Sequence, residues 1–480
     1  MRLVKFQVFL LLSCLVAGGV PLPVFAADWK FSPRVTAGET WSDNIDLDPS
    51  SAAQHDFVTT LTPGVSVSGR GKRLTLDFDY QASLIAYARG SDSSDFQNRL
   101  QGTANAEVIE DLFFVDFFAT VDQRNQFSRG RQATDSLSRS DNRDQAVTYG
   151  ISPWLRKRFG NFADVVVRYD SDQVTNSGDA LSTTFDSLSL SATSGKRFAV
   201  LPWTVSASER REDNDTGTKS TFRQVNATVS YAFSGRYAMR VLGGYEDNDL
   251  VRSGRVENDS SVDWRVTGIW TPSSRTNVEI GYGKTIVGSF PTLKATHRMR
   301  RVVFNASYDE QLSTSSFEQS QGRVVALEDA FGNPIDNPGA QPVDVSTNDS
   351  SLSDEVFLSQ DFQFGMTYAG RRNTASLNYS NNRRSYDRGD GDETINSVTL
   401  SVSRSLSRST SVDASTLWQL AEFAGDDDDE TLISFDLGLS HTVFRDVTGR
   451  LSYRHQRLSS DTSANEYTEN RISADVSVRF

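Results

Sequence analysis

Few residues in this chain have the type and spacing to do chemistry. Its four histidines are His55, His297, His441 and His455. Hydrolysis would need one of them beside a nucleophile, or a pair of acids held together. His441 shares parity with Leu437 and Leu439, and His455 with Tyr453, so both read as residues at the end of an apolar face. His55 and His297 fall in or beside loops with no serine and aspartate arrangement around them. Asp426, Asp427, Asp428, Asp429 and Glu430 could gather divalent cations, but the run lacks the alternating ligands and the glycine of a calcium loop, and reads as a solvated acidic loop. Gly243-Gly244 would cradle a phosphate only at the start of a helix, and none is indicated, so these read as strand glycines. The one cysteine, Cys14, lies in the N-terminal leader, which leaves no thiol for a disulfide or a thiolate metal site. No catalytic residue, cofactor or metal is expected.

A second set of charged residues has regular spacing. Asp77, Asp79, Asp116, Asp164, Arg168, Arg240, Asp263, Arg265, Arg450 and Arg454 each take the polar parity of an alternating segment. The clearest segment is Leu74-Thr75-Leu76-Asp77-Phe78-Asp79-Tyr80-Gln81-Ala82-Ser83-Leu84. The last nine residues repeat the pattern, with Ile472, Ala474, Val476, Val478 and Phe480 on one face and Ser473, Asp475, Ser477 and Arg479 on the other. A period of two is that of a strand with one apolar and one polar side.

Those strands need a setting. Met1-Arg2-Leu3-Val4-Lys5, an apolar run from Phe6 to Val20 and small residues at Ala26 and Ala27 read as a cleaved export signal over 1–26. Beyond it no apolar run approaches the ~18 residues of a membrane helix. No linker divides the remainder, so residues 27–480 are expected to form one domain. With 37% hydrophobic residues, a mean hydropathy of −0.44 and a net charge of −13, the composition suits a soluble protein and equally a barrel that shows lipid every second residue. The acidity argues against nucleic acid as a partner.

Taken in order, the apolar alternation marks strands at 29–41, 57–67, 74–84, 100–108, 113–121, 147–155, 165–169, 188–192, 203–207, 225–231, 237–245, 264–270, 278–282 and 302–308. It resumes at 362–368, 375–379, 398–402, 412–418, 433–439, 447–453 and 472–480, and a weak strand over Leu312–Val325 is expected to carry the chain back across. The expected fold is an all-β transmembrane antiparallel barrel of about 22 strands, within a range of 20–24, with short periplasmic turns and long extracellular loops. Trp29, Trp41, Tyr87, Tyr169, Tyr231, Tyr245, Trp270, Tyr308, Tyr453 and Phe480 sit at strand ends and suggest an aromatic girdle. The terminal strand ending on Phe480 resembles the signal by which outer-membrane barrels are recognised by the assembly machinery, so that machinery and outer-membrane lipid are expected partners.

Five short segments carry a further resemblance: Trp41-Ser42-Asp43-Asn44-Ile45, Leu61-Thr62-Pro63-Gly64, Gly244-Tyr245-Glu246-Asp247-Asn248, Trp270-Thr271-Pro272-Ser273-Ser274-Arg275-Thr276 and Gly370-Arg371-Arg372-Asn373. In this order, over nearly all of the chain, they resemble the PEP-CTERM-system-associated outer membrane proteins, a group within the β-barrel porins. The pattern departs at Gly283-Lys284-Thr285, where the group has an arginine and an aromatic before the glycine at 288. The resemblance implies an outer-membrane barrel associated with exopolysaccharide and its export components, and supplies no catalytic residue.

Charges at alternate positions of spanning strands would cost roughly 2–4 kcal/mol each for arginine at the lipid midplane, so they are expected to face inward. A ring of about 22 strands is too wide for side chains alone to fill, and mixed charge there implies water. The expected function is a passive conduit or export component for a polar polymer, probed against two alternatives: a general diffusion porin, and a structural or adhesive barrel with an occluded lumen. With no plug domain ahead of the first strand, a plugged siderophore receptor is disfavoured. The loop 327–354 is the expected constriction.

Overall fold

Alternation of apolar and polar side chains, extended over whole segments and broken by turn residues, leaves the backbone no way to satisfy its polar groups except by pairing strand to strand. The computed structural model describes residues 28–480 except 90–93, 126–129, 134–136, 141, 178–181, 216, 253–254, 322–323, 326–342, 345–355, 387–391 and 424–428. Residues 1–26, with the expected leader and Cys14, nearly all of the 327–354 loop, and Asp426 to Asp428 lie outside the described residues.

Twenty-two strands form one sheet. In order they are β1 (Asp28–Ser42), β2 (Asp56–Arg70), β3 (Leu74–Tyr87), β4 (Ser94–Ile109), β5 (Phe113–Asn125), β6 (Arg143–Phe159), β7 (Ala163–Asn176), β8 (Thr183–Ser194), β9 (Trp203–Asn214), β10 (Lys219–Ala232) and β11 (Tyr237–Arg252). Then follow β12 (Arg255–Ser273), β13 (Thr276–Thr285), β14 (Gly288–Arg298), β15 (Val302–Ser313), β16 (Phe357–Ala369), β17 (Asn373–Tyr386), β18 (Asp392–Ser405), β19 (Thr410–Phe423), β20 (Glu430–Phe444), β21 (Val447–Ser460) and β22 (Tyr467–Arg479). Each is antiparallel to the next, and β22 returns to β1 from Arg34↔Arg479 to Ser42↔Arg471. The sheet is therefore a closed barrel with no free edge.

Two expectations are corrected. The Leu312–Val325 segment is not a barrel strand: β15 pairs directly with β16, and between them runs helix α1 (Ser315–Gln321), followed by a two-residue ladder of Val324–Val325 against Val343–Asp344. Conversely β14, absent from the sequence reading, takes its place in the ring between β13 and β15. One omission and one surplus cancel, so the total of 22 stands. The two rims also differ less evenly than expected. On the rim that carries the ends of β1 and β22, connections are as short as 274–275 and 445–446, with a longer one at 195–202. On the other rim the connections 43–55, 126–142 and 314–356 span many residues, but only two residues separate β11 from β12, and 286–287 is as tight as any turn. Gly288, at φ +116, lets the chain reverse within the second of these.

Inside and outside follow from packing. One parity carries exposed large apolar residues, among them Val262 at 70% and Ile280 at 61% exposure. The opposite parity carries the buried residues on which inward-folded loops and α1 rest, such as Val58, Ile85, Phe185 and Leu458. Of the girdle candidates, Trp29, Tyr169, Tyr231, Tyr245, Trp270, Tyr453 and Phe480 are exposed. Tyr87 is not among them: it is buried on the inward parity, and its hydroxyl donates to the Leu137 carbonyl at 3.0 Å.

Candidate functional site

The inner wall is the candidate site, because ions and polar groups gather there on every side. All ten charged residues singled out from the sequence lie on the inward parity of their strands. Asp79 accepts a two-pronged bond from Arg34 at 2.7 and 2.8 Å and another from Ser66 at 2.6 Å. Asp116 and Arg168 meet at 2.7 Å, and the same Arg168 reaches Asp170 at 2.6 Å while Trp154 Nε1 donates to Asp116 at 3.0 Å. Asp164 pairs with Arg158 at 3.0 Å, Arg240 with Glu279 at 2.9 Å, and Arg450 with Asp413 at 2.6 Å. Arg454 is paired with Asp436. Arg265 lies over the Phe290 ring at 5.1 Å, Asp263 is buried, and Asp77 is exposed opposite Thr103.

Only Asp116 and Arg168 of the ten are brought together. The other charged partners, Arg34, Arg158, Asp170, Glu279, Asp413 and Asp436, are also on polar parity, but sequence alternation gives the face and not the register that pairs one strand with the next. The pattern of charge across neighbouring strands lets long side chains satisfy one another along a wall that would otherwise expose bare charges. Toward the rim of the chain ends, inward residues including Gln101, Thr103, Asn105 and Lys294 are exposed, which makes this half of the lumen wet.

The other half is narrowed by two inward-folded assemblies. The first joins connection 43–55 to residues 130–133 and 137–140. Leu47 is fully buried on Leu432, Leu458, Tyr467 and Ala133; Ile45 packs on Val58, Ile85 and Tyr87. Tyr467 donates to the Gln132 carbonyl at 2.6 Å, Arg471 to Ser138 at 2.6 Å, and Arg139 pairs with Asp46 at 3.0 Å. Beneath sits a polar cavity of about 490 Å³ lined by residues such as Asp46, Asp48, Asp95, Arg131 and Arg143. Burial raises the Asp46 carboxyl above its ordinary value, against the lowering effect of Arg139 and with Asp48 and Asp56 adding to the rise.

The second assembly is α1 with the preceding Thr314. Thr314 donates to Glu212 of β9 at 2.8 Å, Thr183 of β8 donates to Ser316 at 3.0 Å, and the Arg210 guanidinium lies 3.6 Å over the Phe317 ring. On the other side Glu318 accepts from Arg384 of β17 at 2.6 Å and from Ser359 of β16 at 3.0 Å. The segment thus ties β8 and β9 to β16 and β17, walls well separated round the ring. The expected constriction, 327–354, lies almost wholly outside the described residues; α1, which crosses the lumen, comes just before it. No alternation could have announced α1, since Ser-Ser-Phe-Glu-Gln-Ser-Gln has one apolar residue and becomes ordered through side chains of remote strands.

His441 and His455 are on the outward parity, bonded to Thr410 at 2.9 Å and Asn470 at 2.9 Å, while His297 meets Thr276 at 2.8 Å and His55 lies beside Arg89. Among the described residues no three histidine, cysteine or acidic side chains gather as a metal site.

Residues 393–480, from β18 to the last strand, match the family described as "Putative beta-barrel porin 2". No curated protein sequence matches the chain. Among solved structures, the FrpB iron transporter of Neisseria meningitidis (F5-1 variant) is similar at 11% identity and a TM-score of 0.53, over 94% of this chain and 83% of that one. The ferric-catecholate import receptor Fiu of E. coli K12 is similar at 8% identity and 0.52, over 94% and 82%. The siderophore receptor PirA of Acinetobacter baumannii is similar at 8% identity and 0.50, over 93% and 80%. At these identities the likeness is one of fold: the closed 22-stranded barrel of outer-membrane receptors.

Proposed function

We propose that this chain sits in the outer membrane as a porin-like barrel and acts as a passive conduit for hydrophilic solutes, with export of a polar polymer, exopolysaccharide, as its physiological task. The observation that carries the conduit is the inward face: ion-paired, polar and exposed in the half nearest the chain ends, with an apolar band outside. Lumen width and wall charge would do the selecting, with no covalent step. The polymer rests on the five-segment resemblance to exopolysaccharide-associated barrels, and export on the leader over 1–26. The strand ending at Phe480 would be handed to the barrel assembly machinery, and the exopolysaccharide export components would be its partners.

A second reading, a barrel held shut at rest, is favoured by α1, whose ties to β9 and β17 cross the lumen. Single-channel recording of the full chain in planar bilayers tests both. Steady conductance reduced by short oligosaccharides supports the conduit; silence that turns to current when Arg384→Gln and Glu318→Gln release α1 supports the closed resting state. Silence in both overturns transport and leaves a structural role.

A further inference from the structure

Three buried side-chain oxygens on neighbouring strands of the inner wall have no donor. Asp263 of β12 is 2% exposed, and neither carboxylate oxygen receives a hydrogen bond. Asn226 of β10 turns a buried Oδ1 that also has no partner. Register sets Asn226 opposite Gly244 and Gly244 opposite Asp263, so on this row only a glycine separates them. The space that glycine leaves is in use: a Cβ on Gly244 would stand 2.0 Å from Asn226 Oδ1. Two residues along β11, Glu246 points to the same face and accepts from Gln224 Nε2 at 2.8 Å. Arg265, the nearest cation in sequence, lies over Phe290 instead of bonding to the carboxylate.

A buried carboxylate without donors requires a proton or a cation. Beside the Gln224 amide that donates to Glu246, the acceptors around the notch are oxygens, two of them carboxylates, a set that suits a hard divalent ion better than zinc or copper. We propose that Asp263, Glu246 and Asn226 bind a calcium ion in the notch over Gly244, with water completing the shell. The ion would link β10, β11 and β12 across the glycine, where no side chain can. This site is independent of what the barrel conducts.

The test is calorimetric titration of CaCl2 into the full chain, folded in detergent and first stripped with chelator. One ion per chain is expected, lost in Asp263→Asn and weakened in Asn226→Ala, with folding of each variant checked by far-UV circular dichroism. Gly244→Ala keeps every donor and fills the notch, and is expected to lose the ion as well; should it fail to fold, the first two variants decide. If the folded chain takes up neither calcium nor magnesium, the proposal falls, and Glu246 and Asp263 share a proton while Asn226 turns its amide about. Uptake undiminished in Asp263→Asn overturns it too, and puts the ion elsewhere, as on the acidic run 426–430.

Discussion

Leu47 shows what single residues contribute to closing the mouth. Its φ of +55 is in the left-handed region, a conformation that costs a leucine about 1–2 kcal/mol. It persists because the side chain is fully buried, which stabilises by about 1.5–3 kcal/mol. Leu47→Ala keeps the strain and loses the contact, at a cost of about 2–5 kcal/mol. The barrel is expected to remain folded while connection 43–55 opens, and limited proteolysis between β1 and β2 checks it: cleavage should appear in the variant and not in the wild type. Asp46 adds a pH dependence. A carboxyl raised in the folded state binds its proton more tightly there than in the unfolded chain, whose value is 3.8, so the penalty of ionising it builds up as pH rises above that value and is complete once pH has passed the raised folded-state value. The same connection is therefore expected to be more protected from protease at mildly acid pH than at neutral pH. Asp46→Asn should flatten that profile.

Elements were legible where alternation was dense and obscure where it was thin. β20 shows Ile433, Phe435, Leu437 and Leu439 outward and is plain in the sequence. β14 offers Pro291, Leu293, Ala295 and His297 on its outward face, a single large aliphatic beside a proline, and a two-residue reversal ahead of it hides its start. The polar stretch after β15 reads as a strand only because the chain must return to the correct rim, a crossing that β14 already provides. What occupies that stretch, α1, is held by Glu212, Arg210 and Arg384, none of which adjoins it in sequence. Such contacts are set by closure of the ring and leave no local trace. If α1 limits flow, replacing 314–321 with glycine and serine should raise single-channel conductance without altering the circular dichroism spectrum of the barrel. Equal conductance would place the narrowest point at the 43–55 assembly. The charge-pairing of the wall makes a separate prediction: Arg168→Ala frees Asp116 and Asp170 together, and the reversal potential in a salt gradient should move toward cation selectivity.

For the whole molecule, the decisive property is that one closed sheet turns an apolar face outward and a polar face inward. Ile280 and Thr103 are both exposed residues in the span of their strands, yet they lie on opposite sides of the ring wall: Ile280 with Tyr282 on the apolar exterior, Thr103 beside Asp77 on the wet interior. An arginine at either position would be tolerated by a water-soluble sheet. In a bilayer the two must differ. Ile280→Arg puts a charge against hydrocarbon and is expected to cost roughly 2–4 kcal/mol, falling toward zero only at the interface. Thr103→Arg puts the same group into water within the lumen, where Asp77 stands opposite, and should be close to neutral for folding. The measurement is reversible unfolding in urea of the chain inserted in lipid vesicles, compared for the two variants and the wild type. A large loss for Ile280→Arg alone means that the exterior parity meets lipid and the interior parity meets water, and the closed ring then follows as the one arrangement in which strands of this length can leave no backbone group unpaired in the membrane. Equal effects would mean that lipid does not touch the exterior, and the membrane assignment would fail even though the barrel stood.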